Sequence, residues 1–173
     1  HFADAVGTLS ADEALSYWED EMPVAALPED FFSSTFYVDK ALAYLDRAQR
    51  QDAPFLLQLS LTAPHWPLQA PEAWRDRFSG VYDEGWAATR AARLSRLGQR
   101  FPALASAPSF PVALGAWDDL PEAARREEAR RMEIYAALIA HMDAELGRLF
   151  AALEASGADE NTVVLFLSDN GPE

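Results

Sequence analysis

The 173-residue chain contains no cysteine. Disulfides, thiolate metal sites and a cysteine nucleophile are therefore excluded within it, while the redox compartment stays open. Positive charge is scarce: 14 Lys and Arg stand against 28 Asp and Glu, a formal net charge of -14, and Lys40 is the only lysine. Such a balance argues against a nucleic-acid partner, because proteins gain affinity for a phosphate backbone by bringing cations to it and releasing counterions. An anionic substrate would need a locally inverted field, which a bound divalent cation supplies most simply. No apolar run approaches the length that crosses a bilayer. The opening HFADAVGTLSADEA is acidic rather than basic-then-apolar, unlike a secretion signal. No HExxH zinc motif, phosphate-binding glycine loop or internal repeat occurs.

What is present is half hydrophobic, enough for one domain with a core. Its organising stretch is Thr162 to Gly171, TVVLFLSDNG. The run Thr162 to Leu167 is too short for a helix and too uniformly apolar for a half-exposed strand, so it predicts a strand buried on both faces, as in a parallel sheet. Asp169 and Asn170 follow on the loop leaving its carboxyl end, the rim where open α/β sheets hold ligands. They offer hard oxygen donors of the kind Ca²⁺ or Mg²⁺ prefers, and Gly171 lets the backbone turn around them. On these residues alone, Asn170-Gly171 reads equally well as a simple turn.

A second run, Phe55 to Leu61 (FLLQLSL), predicts another buried strand. It leads into Thr62-Ala63-Pro64-His65-Trp66-Pro67, where two prolines stop any regular element and hold His65 on a stiff loop. A lone loop histidine is more often incidental or structural. In a parallel sheet, however, this loop would share a rim with Asp169 and Asn170.

Helices account for much of the rest. Residues 1 to about 35 read as acidic surface loops. Apolar positions from Tyr37 to Ala48 form a helical stripe, with Ser33, Ser34 or Thr35 as N-cap and an end near Gln51. Pro71 to Phe78 reads as a short amphipathic helix. Trp86 to Leu97 reads as another, stopped by Gly98. It carries Arg90, Arg93 and Arg96, a ladder that could bind anions but is expected to pair with nearby carboxylates. After an irregular crossing over 99–118, Asp119-Leu120-Pro121-Glu122 fits a capping box. The long helix it opens runs to Gly157, with Met132, Tyr135, Leu138, Met142, Leu146, Leu149 and Leu153 on one stripe. Glu122–Arg126 and Glu127–Arg131 are i,i+4 pairs, each contributing about 0.2–0.5 kcal/mol. His141 on this helix is expected to be structural or solvated.

With these residues in view, the chain resembles the sulfatases of the alkaline-phosphatase-like superfamily, of the bacterial arylsulfatase type. FYVDKALAYL, PFLLQLSLTAPHWPLQAP, RRMEIYAALIAHMDAELGRL and NTVVLFLSDNG follow that family's order and spacing over most of 28–171. The resemblance implies a calcium-dependent sulfuric ester hydrolase, with magnesium the lesser alternative, acting on a small-molecule sulfate ester. It also implies an α/β/α sandwich with a mostly parallel sheet. His65 is similar to the family's histidine that hydrogen-bonds the sulfate group, and Asp169 and Asn170 to two of its calcium ligands.

Family members use a formylglycine made within a C/S-x-P-x-R motif as nucleophile, and none occurs here. The nearest text, Ser106-Ala107-Pro108-Ser109-Phe110, lacks the arginine and is misplaced. The paired aspartates and the G-K-x-H element are also missing, and Lys40 does not match a family catalytic lysine. The missing parts are expected upstream of His1 and, for a further lysine, downstream of Glu173. Residues 1–173 are thus expected to be one partial catalytic domain, inactive alone, from a sulfatase parent. The alternatives are a phosphate or phosphonate monoester hydrolase on the same scaffold, or a truncated relative without catalysis. The compartment, bacterial cytoplasm or periplasm, and the oligomeric state are not readable.

Overall fold

The computed structural model describes residues 17–51, 53–104 and 115–168. The chain divides into two compact units, one formed by His1–Thr62 with Met142–Glu173 and one by Ala63–His141.

In the first unit, Trp18–Glu19 (β1) and Met22–Pro23 (β2) pair antiparallel, with Trp18 opposite Pro23 and Glu19 opposite Met22. Asp20 turns the chain between them at φ 53°. The helical stripe forms as expected: α1 spans Ser33–Arg50. Its Val38, Ala41 and Leu45 lie three and four residues apart, so they share a face. They pack on Leu149 and Leu153 of the long helix α3, Glu122–Ala155, whose residues from Met142 onward belong to this unit. Burying Val38, Leu45, Leu149 and Leu153 contributes about 1.5–3 kcal/mol each. This interlock is the core of the unit.

The expected N-cap needs correcting. Phe32 occupies the cap position and makes no side-chain cap bond. Two of the three hydroxyls behind it are used elsewhere. Ser33 Oγ and Thr62 Oγ1 lie 3.2 Å apart, and Thr35 Oγ1 donates to Glu145 Oε1 at 3.0 Å.

The two apolar runs also depart from expectation. Neither 55–61 nor 162–167 forms a ladder with a partner among the described residues, where β1–β2 is the sheet present, so no parallel sheet appears. Phe55, Leu57 and Leu59 pack against the α1–α3 cluster, but Leu56 between them is 97% exposed. A strand buries both faces only between two layers, and here α1 and α3 cover one. Over 163–167 every side chain is exposed, Val163 at 86%.

The second unit holds α2, Gly85–Arg100, and the part of α3 up to His141. Tyr82, Trp117 and Ala129 form its buried cluster, flanked by Phe78, Trp86, Leu120 and Met132. Gly85 makes this possible. Its φ of +78° suits glycine, and a Cβ there would lie 2.2 Å from Cδ2 of Trp117. Trp86 then meets Trp117 edge to face, ring centroids 4.8 Å apart.

Three boundaries differ from expectation. Gly98 does not stop α2, which continues to Arg100 and ends at Phe101. The residue before Pro102 is the one disfavoured in helical geometry. Asp119 does not cap α3, because it closes a 3-10 turn, Trp117–Asp119. The helix starts after Pro121, whose carbonyl accepts from the Arg125 amide at 3.0 Å. Within 71–78, only Glu72–Trp74 forms a 3-10 turn. His141 is buried, edge-on to Trp74 with centroids 5.4 Å apart, which is the structural rather than the solvated of the two roles expected for it.

Candidate functional site

His65 is the site residue that the described structure resolves. It lies half-buried on the loop after Thr62, and the Ala63–Pro64 and Trp66–Pro67 peptide bonds on either side of it are cis. Its Nδ1 is 2.7 Å from the carbonyl oxygen of Trp66. A carbonyl only accepts, so Nδ1 carries the proton and donates. In that tautomer Nε2 bears the lone pair when the ring is neutral and becomes a donor when the ring is an imidazolium. A backbone bond of this kind also fixes the ring plane.

The approach to the loop is tied down at Thr62. Ser33, almost wholly buried in the first turn of α1, faces the Thr62 hydroxyl. Sequence reading treated Ser33 only as a possible cap. The signal it lacked is that Phe32 takes the cap position, leaving the serine hydroxyl for a partner remote in sequence.

Asp169 and Asn170 lie outside the described residues. Among the described residues no group of three His, Cys, Asp or Glu side chains converges as a metal site would require. Calcium takes six to eight oxygens, and the described donors do not assemble that shell.

Two buried carboxylates on α3 are engaged otherwise. Glu145 accepts from Thr35 and, through Oε2, from Arg148 Nη1 at 2.6 Å. Glu133 accepts from the Gly80 amide at 2.7 Å and from Arg130 at 2.9 Å. Asp39 first, then Glu145, holds the Arg148 guanidinium above its ordinary value. Glu133 first, with Asp76, does the same for Arg130. Charge-assisted bonds on both oxygens mark these carboxylates as structural ties, not bases poised for proton transfer.

The first unit also carries a groove of about 300 Å³ beside α1, walled by Tyr17, Trp18, Phe36, Tyr37 and Tyr44. The single lysine reaches its rim, but Glu19 Oε1 takes its charge at 2.6 Å. Aromatic walls and a neutralised cation suit an uncharged organic group better than an anion.

Comparison with known proteins adds what geometry alone does not. A family profile described as Sulfatase matches residues 3–173. The chain is 35% identical over 172 residues to an arylsulfatase of Klebsiella aerogenes, covering 99% of this chain and 37% of that protein. It is 34% identical over 148 residues to an uncharacterized sulfatase of Schizosaccharomyces pombe, covering 84% of this chain and 26% of that protein. It is also 30% identical over 155 residues to a multifunctional alkaline phosphatase superfamily protein of Trinickia caryophylli, covering 85% and 29% respectively. The chain thus spans well under half the length of each of these relatives.

Proposed function

The chain belongs to the sulfatase family, and from that premise we propose that the protein carrying it hydrolyses sulfate monoesters. The observation that carries the reading is the match across residues 3–173, which takes in the stiff His65 loop and the Asp169-Asn170 pair together. The α/β/α sandwich with a mostly parallel sheet belongs to the same proposal. Residues 55–61 and 162–167 are its strand candidates.

In this reading His65 binds the sulfate group. With Nδ1 committed to the Trp66 carbonyl, Nε2 presents a proton to a non-bridging oxygen only when the ring is an imidazolium. A donor held rigid on its loop lowers the barrier because it needs no reorganisation as charge shifts onto those oxygens. Asp169 and Asn170 are proposed as two calcium ligands, the ion supplying Lewis-acid stabilisation when bound. The nucleophile is proposed to be a formylglycine outside residues 1–173, so the segment alone is expected to be inactive. The relative from Trinickia caryophylli, whose name is multifunctional, keeps a phosphate or phosphonate monoester as the second reading.

The test is hydrolysis of an aryl sulfate and the matching aryl phosphate by the full-length protein, with its intact mass. Faster sulfate turnover, a mass showing formylglycine and a loss of roughly 10²–10³-fold in kcat for His65→Ala are expected. Calcium content should fall in Asp169→Ala. Faster phosphate turnover, or a His65→Ala protein as active as the parent, would sink the assignment.

A further inference from the structure

For Arg93 and Arg96 the expected pairing with carboxylates is not met among the described residues. Arg100 forms no ion pair among them either. The cause is local composition. Residues 85–117 carry four of the 14 basic residues and none of the 28 acidic ones. The chain as a whole is acidic, but this stretch is cationic.

The same helix leaves apolar surface uncovered. Past its first turn, where Trp86 is seated on Trp117, it exposes Leu94 at 43% and Leu97 at 38%, with Phe101 at 49% just beyond its end. At 3.6 residues per turn Leu94 and Leu97 fall within an arc of about 60° with Arg90 between them, Arg93, Arg96 and Arg100 fill an adjacent arc of about the same width, and Phe101 is the cap residue just past the last turn. Arg100 also lies over the Phe101 ring, 5.7 Å from its centroid. The result is an apolar stripe with a cationic border.

We propose that this face of α2 docks on an anionic phospholipid surface. Charge and apolarity together select the partner. A nucleic acid or sulfated glycan would engage the guanidiniums and leave Leu94, Leu97 and Phe101 in water. A bilayer interface takes the apolar stripe at the acyl boundary while the arginines reach lipid phosphates, the arrangement of interfacial amphipathic helices. The acidity of the remaining chain does not forbid this. Glu84 sits at the start of the helix, so Arg93 is about 13 Å along the axis from it, beyond a Debye length of about 8 Å at physiological salt. The helix would lie on the surface: no described helix is long and apolar enough to cross a membrane.

The experiment is co-sedimentation of the full-length protein with vesicles of phosphatidylcholine alone or mixed with phosphatidylglycerol. Binding to the anionic vesicles only, weakening as salt rises, is expected. Reversing Arg93, Arg96 and Arg100 to Glu should lower partitioning by at least about a hundredfold. Leu97→Ser with Phe101→Ser should lower it several-fold with the charges intact, the thermal midpoint serving as a fold control. No binding to anionic vesicles at low salt would overturn the proposal, leaving another part of the protein or a second copy as the occupant of this face. Equal binding to both vesicles, or binding indifferent to the arginine reversals, would overturn it too. The outcome does not depend on which ester the protein hydrolyses.

Discussion

Helices α2 and α3 are both rich in arginine, yet they treat it in opposite ways. All five arginines of α3 meet carboxylates. Arg126 pairs with Glu122, Arg131 with Glu127 and Glu128, Arg130 with Asp76 and Glu133, Arg148 with Asp39 and Glu145, and Arg125 reaches Asp118 at 3.9 Å. On α2, Arg93, Arg96 and Arg100 meet none among the described residues. Net charge does not decide this; the placement of acids near each arginine, on α3 and on the segments packed against it, does. Glutamates three or four residues away put a carboxylate on the same face, and α2 has no acid anywhere along its length. α3 is therefore held along its length and α2 mainly at its first turn, so the two should respond differently to substitution.

The largest effect is expected where α2 is anchored. Gly85→Ala would place a methyl 2.2 Å from the Trp117 ring at a φ of +78°. Trp117 or the helix must move, a cost of about 3–5 kcal/mol from overpacking and backbone strain combined. Chemical denaturation would report it as a shifted midpoint, and tryptophan fluorescence as a changed spectrum. A neutral result would mean that α2 has no firm seat, which would break the contrast.

Next in size comes the tie between α3 and α1. Glu145→Ala removes the acceptor of both Thr35 and Arg148 from a site where Glu145 is 8% exposed, and should cost about 2–3 kcal/mol. Glu122→Ala, on an exposed pair with Arg126, should cost no more than about 0.5 kcal/mol. Arg148 is held above its ordinary value. A raised arginine contributes fully below that ordinary value and loses its contribution only in strong alkali. The Glu145→Ala deficit should therefore be constant across the neutral range in denaturation curves taken at several pH values. Equal costs for Glu145→Ala and Glu122→Ala would show that burial makes no difference here.

These cases also show what local sequence can and cannot say. The stripe from Tyr37 to Ala48 and the i,i+4 glutamate-arginine pairs were legible because both partners lie within one or two helical turns. The exposure of Leu56 and of 163–167 was not. Apolar composition says which faces avoid water, not which element covers them, and among the described residues the run from Phe55 packs on the α1–α3 cluster on one side. The candidate site divides the same way. His65 stood out between two prolines, but its bond to the Trp66 carbonyl depends on a backbone orientation no residue type announces. Ser33 is one of three hydroxyls the sequence offers as the cap, because a hydroxyl before a helix usually is one. Its bond to Thr62 spans 29 residues.

The smallest change sharpens the comparison most. Ala92→Glu, at an exposed position of α2, puts a carboxylate four residues before Arg96 in the favourable order. It should stabilise the helix by about 0.2–0.5 kcal/mol. The same substitution should weaken binding to anionic vesicles several-fold, because one arginine acquires an internal partner and the face loses a unit of net positive charge. Stability and lipid binding would then move in opposite directions from one surface residue. If pairing is what separates the two helices, this variant makes α2 behave more like α3. Unchanged vesicle binding would mean that the arginine border of α2 has no part in docking.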